Sequence, residues 1–258
     1  MPFQATKKPE MSQFLGVILR RFATTMVHNT AFQTRSRKTA VETAIMSRKK
    51  KRFPNPNWSP AGTVSIDPDA PVPVVDAIAY VPGELEEKLQ LKDLGWVEAN
   101  KGKQPVLWVN VDGLGDAHTV TELGRIFDLH NLALEDVVGG HQRPKVEFYD
   151  SHLFISLRML YHHDNRVETE QLSLFLGSDF LISFQEGVPG DCFAPVRERL
   201  RKQASKLRAG GADFLAYTLI DAVVDAYFPY LERLGEQLED FEDRILARPD
   251  RELIQQVH

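Results

Sequence analysis

The sequence predicts an α/β fold in which a mixed sheet is flanked by helices and followed by a long acidic helical arm. Short apolar segments rich in Val and Ile, bounded by Pro, Gly and Asp, alternate with helical patterns between residues 70 and 209. From residue 210 onward, apolar residues recur at every third or fourth position. With 258 residues, 43% of them apolar, the chain is large enough to bury a substantial core.

Residues 1–69 are predicted to form a basic, proline-containing and disordered N-terminal extension. Residues 1–52 contain 12 Lys and Arg but only two acidic residues, a balance of +10. The basic run that ends at Arg52 is followed by three prolines, and this stretch offers no periodic apolar surface to bury. A translation start at Met46 is the alternative to a start at Met1, and it would leave the first 45 residues without a structural role.

Residues 70–209 are predicted to form the α/β domain, because strand and helix patterns follow one another there without a fixed repeat. Four consecutive strand candidates separated by turn residues favour an antiparallel meander within the sheet. The predicted elements are strands at 72–81 and 105–111, helices at 119–130 and 132–138, strands at 145–149, 152–160, 171–176 and 180–185, and a helix at 197–207.

Residues 210–258 are predicted to contain one long helix and the beginning of another. Gly210 and Gly211 break the chain before the long helix, and Pro249 disfavours helical dihedrals at Arg248, which marks its end. The faces opposite the apolar stripe carry many carboxylates, which indicates either a solvated surface or a surface that concentrates cations. The apolar stripe consists of Leu215, Leu219, Val223, Tyr227, Tyr230, Leu231, Leu234, Leu238, Phe241 and Ile245.

Charge and composition exclude several functional classes. Residues 53–258 have a balance of −15, so this part would repel nucleic-acid phosphates, and we expect no nucleic-acid partner. A single cysteine, Cys192, cannot form an internal disulfide, which agrees with a reducing compartment. No segment reaches the roughly 18 to 20 consecutive apolar residues that cross a bilayer, so we expect the chain as given to be soluble.

The sequence also lacks the common catalytic signatures. It contains no G-x-G-x-x-G, P-loop, G-x-S-x-G or H-E-x-x-H motif, and no base can be identified for Cys192. We therefore expect neither an enzyme nor an organic cofactor.

Three acidic residues stand out as candidate ligands. Glu135 and Asp136 are adjacent at the end of a short apolar helix. Asp221 lies in the mainly apolar first part of the arm, where an unpaired buried carboxylate is costly, so it needs a hydrogen-bond partner or faces another chain. A weaker candidate is a transition-metal cluster in an expected polar turn between two strands, formed by His162, His163 and Asp164.

Two neighbouring blocks, HNLALED at 130–136 and HQRPKVEF at 141–148, resemble the N-terminal cytoplasmic domain of the CorA family of magnesium channels. The resemblance covers about residues 70–258 and leaves residues 1–69 outside it. Further blocks follow in the order of that family: EQLSL at 170–174, FQE at 184–186, PVRER at 195–199, YTLIDAVVDAYF at 217–228 and RP at 248–249.

The resemblance implies a homopentameric inner-membrane channel with a cytoplasmic α/β/α funnel domain. A stalk helix, which would begin within residues 251–258, connects the funnel to two C-terminal membrane helices in this family. These helices and the Gly-Met-Asn pore signature are missing from the sequence. We therefore expect a soluble fragment from the cytoplasmic face of the membrane, attached to it through the missing helices.

The resemblance also implies divalent-cation sensor sites between neighbouring cytoplasmic domains, and the matching residues are Glu135, Asp136 and Asp221. Mg²⁺ suits a sparse acidic site because it retains several waters, while softer metals prefer the Cys and His that these residues lack. Co²⁺ or another divalent cation is an alternative to Mg²⁺. The implied function is gating of transport by Mg²⁺ bound between subunits.

Three other functions stay open at this stage. One is a zinc-transporting relative of the same fold, and another is a stand-alone soluble cation-binding or adaptor protein. The third is a metal-dependent hydrolase that uses the same acids, although the sequence shows no convergent nucleophile or base for it.

Overall fold

The computed structural model describes residues 61–140, 142–163, 166–202 and 205–247. Seven strands lie in these residues, namely β1 Val74–Tyr80, β2 Leu85–Lys88, β3 Val106–Asp112, β4 Lys145–Phe148, β5 Leu153–His163, β6 Arg166–Leu176 and β7 Phe180–Gln185. They form one mixed sheet in the order β2-β1-β3-β7-β6-β5-β4. Strands β3 and β7 pair in parallel, and the other neighbouring pairs are antiparallel.

Six helices lie in the same part of the chain. The start of helix α2, Ala117–Phe127, is fixed by Asp116, whose carboxylate accepts hydrogen bonds from the backbone N–H groups of His118 and Thr119. Asp128 ends this helix in the left-handed conformation. The helices are α1 Gly95–Asn100, α2 Ala117–Phe127, α3 Asn131–Gly139, α4 Ala194–Arg201, α5 Ala212–Asp225 and α6 Phe228–Ala247.

One face of the sheet, which we call the α3 face, is covered by α2 and α3. Alternate residues of β3, such as Leu107 and Val109, are buried there together with Leu123 of α2 and Leu134 of α3. Because successive side chains of a strand point to opposite faces, the remaining residues of β3 face the other way.

The opposite face, which we call the α5 face, is covered by α4 and α5. Helix α5 contacts β3, β5, β6 and β7, and its residues Leu215 and Leu219 are fully buried. Trp108 of β3 packs edge-on against Phe193, with ring centroids 6.3 Å apart. The predicted mixed sheet flanked by helices is confirmed.

The antiparallel meander is also confirmed, since β7, β6, β5 and β4 are successive neighbours. Two short elements, β2 and α1, were missing from the prediction. The four-residue LEEK strand shows no apolar alternation, and α1 has only six residues, of which Val97 alone is buried. Strands β5 and β6 are longer than predicted. His162 and His163 belong to β5 rather than to a turn, while Asp164 lies outside the described residues.

The arm is not the single continuous helix that its periodicity predicted. A turn at Ala226–Tyr227 separates α5 from α6. Pro229 has no backbone N–H to donate to the carbonyl of Asp225, and its ring crowds that carbonyl, so regular helical bonding is interrupted here. The backbone N–H of Tyr227 bonds instead to the carbonyl of Val224 at 3.1 Å.

By length and composition alone, one stretch of the described residues, Ala212–Arg244, could cross a membrane. About a third (33%) of its most apolar window is buried inside the protein, and a core helix of a soluble protein meets the same criterion. Its first part is α5, whose apolar side packs on the sheet.

The described residues up to Asp240 form one compact unit that contains the sheet, and Phe241–Ala247 belong to a second unit. The predictions for residues 1–60, for a start at Met46 and for a second helix at 251–258 fall outside the described residues. The proposed boundaries at 69 and 209 stay predictions.

Gly113, which follows β3, allows a test of the backbone packing. Its φ is +102°, and a Cβ there would lie 2.8 Å from the carbonyl oxygens of Pro71 and Val72. Gly113→Ala should therefore lower the free energy of unfolding by about 2 kcal/mol or more, measured by urea denaturation. Gly83→Ala is the control, since its Cβ meets no atom within 4 Å. Equal losses in the two variants would contradict this account.

Candidate cation site

The three acidic residues singled out in the sequence lie on opposite sides of the sheet. Glu135 and Asp136 belong to α3, whose neighbours Leu134 and Val137 are part of the core on the α3 face. Asp221 belongs to α5, which packs on the α5 face. The structure therefore brings Glu135 and Asp136 together but separates both of them from Asp221 within one chain.

Asp136 is held by two side chains from the segment that follows α3. Its Oδ2 accepts a hydrogen bond from Lys145 Nζ at 2.6 Å, and its Oδ1 accepts one from Gln142 Nε2 at 2.8 Å. The Asp136 side chain is 23% exposed. A cation that binds Asp136 Oδ2 directly must therefore compete with the Lys145 ammonium group.

Lys145 also bonds Glu147, so one ammonium group serves two carboxylates. Its Nζ lies 2.8 Å from Glu147 Oε1, and Tyr149 donates its hydroxyl hydrogen to Glu147 Oε2 at 3.1 Å. The hydrogen bond from Lys145 is the main reason why the pKa of Glu147 is lowered. When all three groups are ionised, the net charge of Asp136, Glu147 and Lys145 is −1. This negative charge attracts cations from the solvent.

Stacked aromatic rings lie beside these charged groups, because Tyr149, which bonds Glu147, is one of them. The ring of His130 stacks on Tyr149 with centroids 4.7 Å apart, and Tyr149 stacks on His152 at 5.0 Å. His130 also caps α3, because its ring nitrogen accepts from the backbone N–H of Leu132 at 3.3 Å. Burial lowers the pKa of His152, which favours the neutral form of this ring.

Glu135 is attached to the segment that precedes the sheet. Its Oε2 accepts a hydrogen bond from the backbone N–H of Gly62 at 2.7 Å. A cleft of about 320 Å³ opens nearby between this segment and α2. Its lining includes Arg125 and Asp128 but none of the three candidate acids, so the cleft is not the candidate cation site.

Asp221 is partly exposed on α5, next to the buried Ile220. Within residues 61–247, leaving aside the gaps named above, no three His, Cys, Asp or Glu side chains are grouped so as to hold a metal ion. The side chains of His162 and His163 are outside the described part, so the transition-metal alternative stays a prediction. One chain thus presents the candidate acids at two separate places, Glu135 and Asp136 on α3 and Asp221 on α5.

Sequence reasoning missed the two side chains that bond Asp136. Both Gln142 and Lys145 lie in the block HQRPKVEF that contributed to the family resemblance. Their role depends on how α3 packs beside β4, and periodicity does not reveal this.

Comparison with known proteins gives consistent matches. The family model described as "CorA-like Mg2+ transporter protein" matches residues 103–258. The cobalt/magnesium transport protein CorA of Thermotoga maritima is 42% identical over 153 residues, which cover 58% of this chain and 43% of the relative. The putative metal ion transporter YfjQ of Bacillus subtilis is 35% identical over 144 residues, 55% of this chain and 44% of the relative. The chain thus spans less than half the length of the curated relatives it matches.

The fold is similar to solved structures as well. The soluble domain of CorA from Methanocaldococcus jannaschii superposes with a TM-score of 0.52 at 16% identity, covering 70% of this chain and 68% of that one. The complete CorA magnesium transporter from the same organism gives a TM-score of 0.53, and the match covers 54% of its chain. At 16% sequence identity, these similarities establish the shared architecture alone.

The link between Lys145 and Glu147 predicts a measurable change in acidity. Lys145→Gln should raise the pKa of Glu147 toward its ordinary value, because the hydrogen bond that favours the ionised carboxylate is lost. Side-chain carboxyl ¹³C shifts followed against pH measure this change. Lys92→Gln, at an exposed lysine, should leave the Glu147 titration unchanged. An unaltered Glu147 midpoint in Lys145→Gln would contradict the assignment.

Proposed function

Because this chain belongs to the CorA-like Mg²⁺ transporter family, we propose that it is the cytoplasmic, cation-sensing domain of a magnesium or divalent-cation transport protein. The names of the curated relatives support transport of Mg²⁺ or Co²⁺. Members of this family are transporters, which agrees with the prediction that the chain is not an enzyme. In this proposal the domain lies at the cytoplasmic face of the membrane, and the membrane helices of the full transport protein attach it there.

The observation that carries the proposal is the separation of the acidic residues by the sheet. Asp136 and Asp221 lie on helices that cover opposite faces, so they can share an ion only if α3 of one copy meets α5 of another. A contact between two different surfaces of identical chains is heterologous, and when such contacts close they form a ring. This geometry supports a cyclic homo-oligomer, and we propose the homopentamer implied by the family.

Mg²⁺ fits the available ligands better than a softer metal does. The ion prefers oxygen ligands and is commonly bound through one or two carboxylates while it keeps several waters. Glu135, Asp136 and Asp221 supply only carboxylate oxygens, whereas zinc sites usually contain Cys or His. A hydrated ion can also bridge to Asp136 through water while Lys145 stays in place.

The proposed mechanism is electrostatic. Without a cation, carboxylates brought together at a subunit contact repel, and two unit charges 4 Å apart interact by about 4 kcal/mol at an effective dielectric constant near 20. A bound Mg²⁺ turns this repulsion into attraction and holds neighbouring copies together. Driving a two-state channel from 1:99 to 99:1 requires about 5.5 kcal/mol of differential binding, so five contacts need contribute only about 1 kcal/mol each. The channel would close when Mg²⁺ is plentiful and open when it is scarce.

The test is isothermal titration of Mg²⁺ into the full transport protein and its variants. The double variant Asp136→Ala with Asp221→Ala should weaken Mg²⁺ binding by roughly tenfold or more, because both halves of the shared site are removed. The matched control is Asp150→Ala with Asp225→Ala, which removes two exposed acids and leaves the site intact. Equal Mg²⁺ affinity in the wild type and the Asp136/Asp221 variant would overturn the proposal.

A further inference from the structure

Another acidic residue, Glu170, is buried in the sheet. It lies on β6, and its relative exposure is 0%. Tyr161 of β5 donates its hydroxyl hydrogen to Glu170 Oε1, and the backbone N–H of Val188 donates to Oε2 at 3.1 Å. Both of these donors are neutral groups, so neither balances the charge of an ionised Glu170.

The charged groups packed around Glu170 are mostly acidic. Glu186, in the loop after β7, and Asp112 of β3 both act on Glu170 as negative charges. Asp112 Oδ1 is itself buried and has no hydrogen-bond partner among the described residues. Burial and nearby acids, Asp191 and Asp76 among them, raise the pKa of Asp112.

The guanidinium that acts on Asp112 is already paired with another acid. Arg197 of α4 forms a bidentate pair with Asp191, with distances of 2.8 and 2.6 Å. Its guanidinium also lies over the ring of Trp108, 5.4 Å from the centroid. Cys192 adds no charge, because burial raises the pKa of its thiol to about 12.

Burial and the two neighbouring acids outweigh the two hydrogen bonds that favour the ionised form. Burial is the largest cause, and together these effects raise the pKa of Glu170 to about 7. The carboxyl group therefore changes its charge within the physiological range of pH.

We propose that Glu170 binds a proton reversibly in the folded protein and transmits its charge state to loop 186–193, which joins β7 to α4. The transmitting contact is the hydrogen bond between the Val188 N–H and Glu170 Oε2. The two hydrogen bonds that carry this inference involve none of Glu135, Asp136 and Asp221, so the inference does not rest on the proposed cation site.

The proton step needs only a rotation of the tyrosine hydroxyl. When Glu170 is ionised, Tyr161 donates to Oε1, and the N–H of Val188 makes a charge-assisted bond. When a proton from solvent adds to Oε1, that oxygen becomes the donor and the Tyr161 oxygen accepts. The Tyr161 hydroxyl hydrogen can then turn toward Met159 Sδ, 4.0 Å away. The N–H of Val188 then donates to a neutral carboxyl group instead of a carboxylate, so the hydrogen bond between Val188 and Glu170 weakens.

The effect reaches α4 because the same loop contains the Asp191 carboxylate that anchors Arg197. Asp191 Oδ1 also accepts from the backbone N–H of Phe193, the residue that precedes α4. Val188 is thus three residues away from Asp191, whose ion pair with Arg197 fixes the start of α4.

The test is an NMR titration of the whole 258-residue chain without divalent cations. The carboxyl ¹³C of Glu170 and the amide of Val188 should titrate with one midpoint near pH 7, and the amide proton should shift downfield as pH rises. Glu170→Gln should abolish the Val188 step. Glu168→Gln, at an exposed position on the same strand, should preserve it. Tyr161→Phe should raise the shared midpoint, because it removes a donor that favours the ionised form.

Two results would overturn the inference. The first is a Glu170 carboxyl that titrates below pH 5, and the second is a Val188 amide that does not follow its midpoint. If Glu170→Gln fails to fold, the titrations of the wild type and of Tyr161→Phe decide between the same outcomes. Loss of Mg²⁺ binding in the acidic variants tested above bears only on the proposed sensing function.

Discussion

The central constraint in this protein is that its sheet is covered by helices on both faces. Burial of apolar side chains on two sides requires α2 and α3 on one face and α4 and α5 on the other. The acidic residues carried by these helices are consequently directed to separate surfaces. The sheet that gives the domain its stability thus also prevents it from completing the candidate cation site alone.

The candidate acid Asp136 on α3 is held in place by side chains of its own chain. Lys145 holds Asp136 and Glu147 at short distances, and the stacked rings of His130 and Tyr149 support the strand beside them. An exposed ion pair contributes little to stability, but a partly buried pair with fixed geometry positions its carboxylates well. Under the proposed function, a hydrated cation would meet oxygens that are already in place, which would lower the entropic cost of binding.

The sequence was sufficient to predict the mixed sheet and its meander, because short apolar segments bounded by turn residues are typical of buried strands. It also identified Asp136 as a candidate ligand through the family resemblance. It could not show that Lys145 bonds Asp136, since that contact depends on how α3 packs beside β4. The burial of Glu170 was hidden for a similar reason, because it follows from the register of β5 and β6 and from the loop that contains Val188.

The parallel pairing of β3 with β7 has a consequence for biosynthesis. It joins two antiparallel halves, β2-β1-β3 and β7-β6-β5-β4, whose own contacts are closer in sequence. Trp108 and Ser183, which share a hydrogen bond across this seam, are 75 residues apart. On the ribosome, the apolar edge of β3 emerges long before its partner and stays open to other strands in the meantime. The seam that unites the domain is therefore also its point of greatest exposure to misassembly while the nascent polypeptide is incomplete.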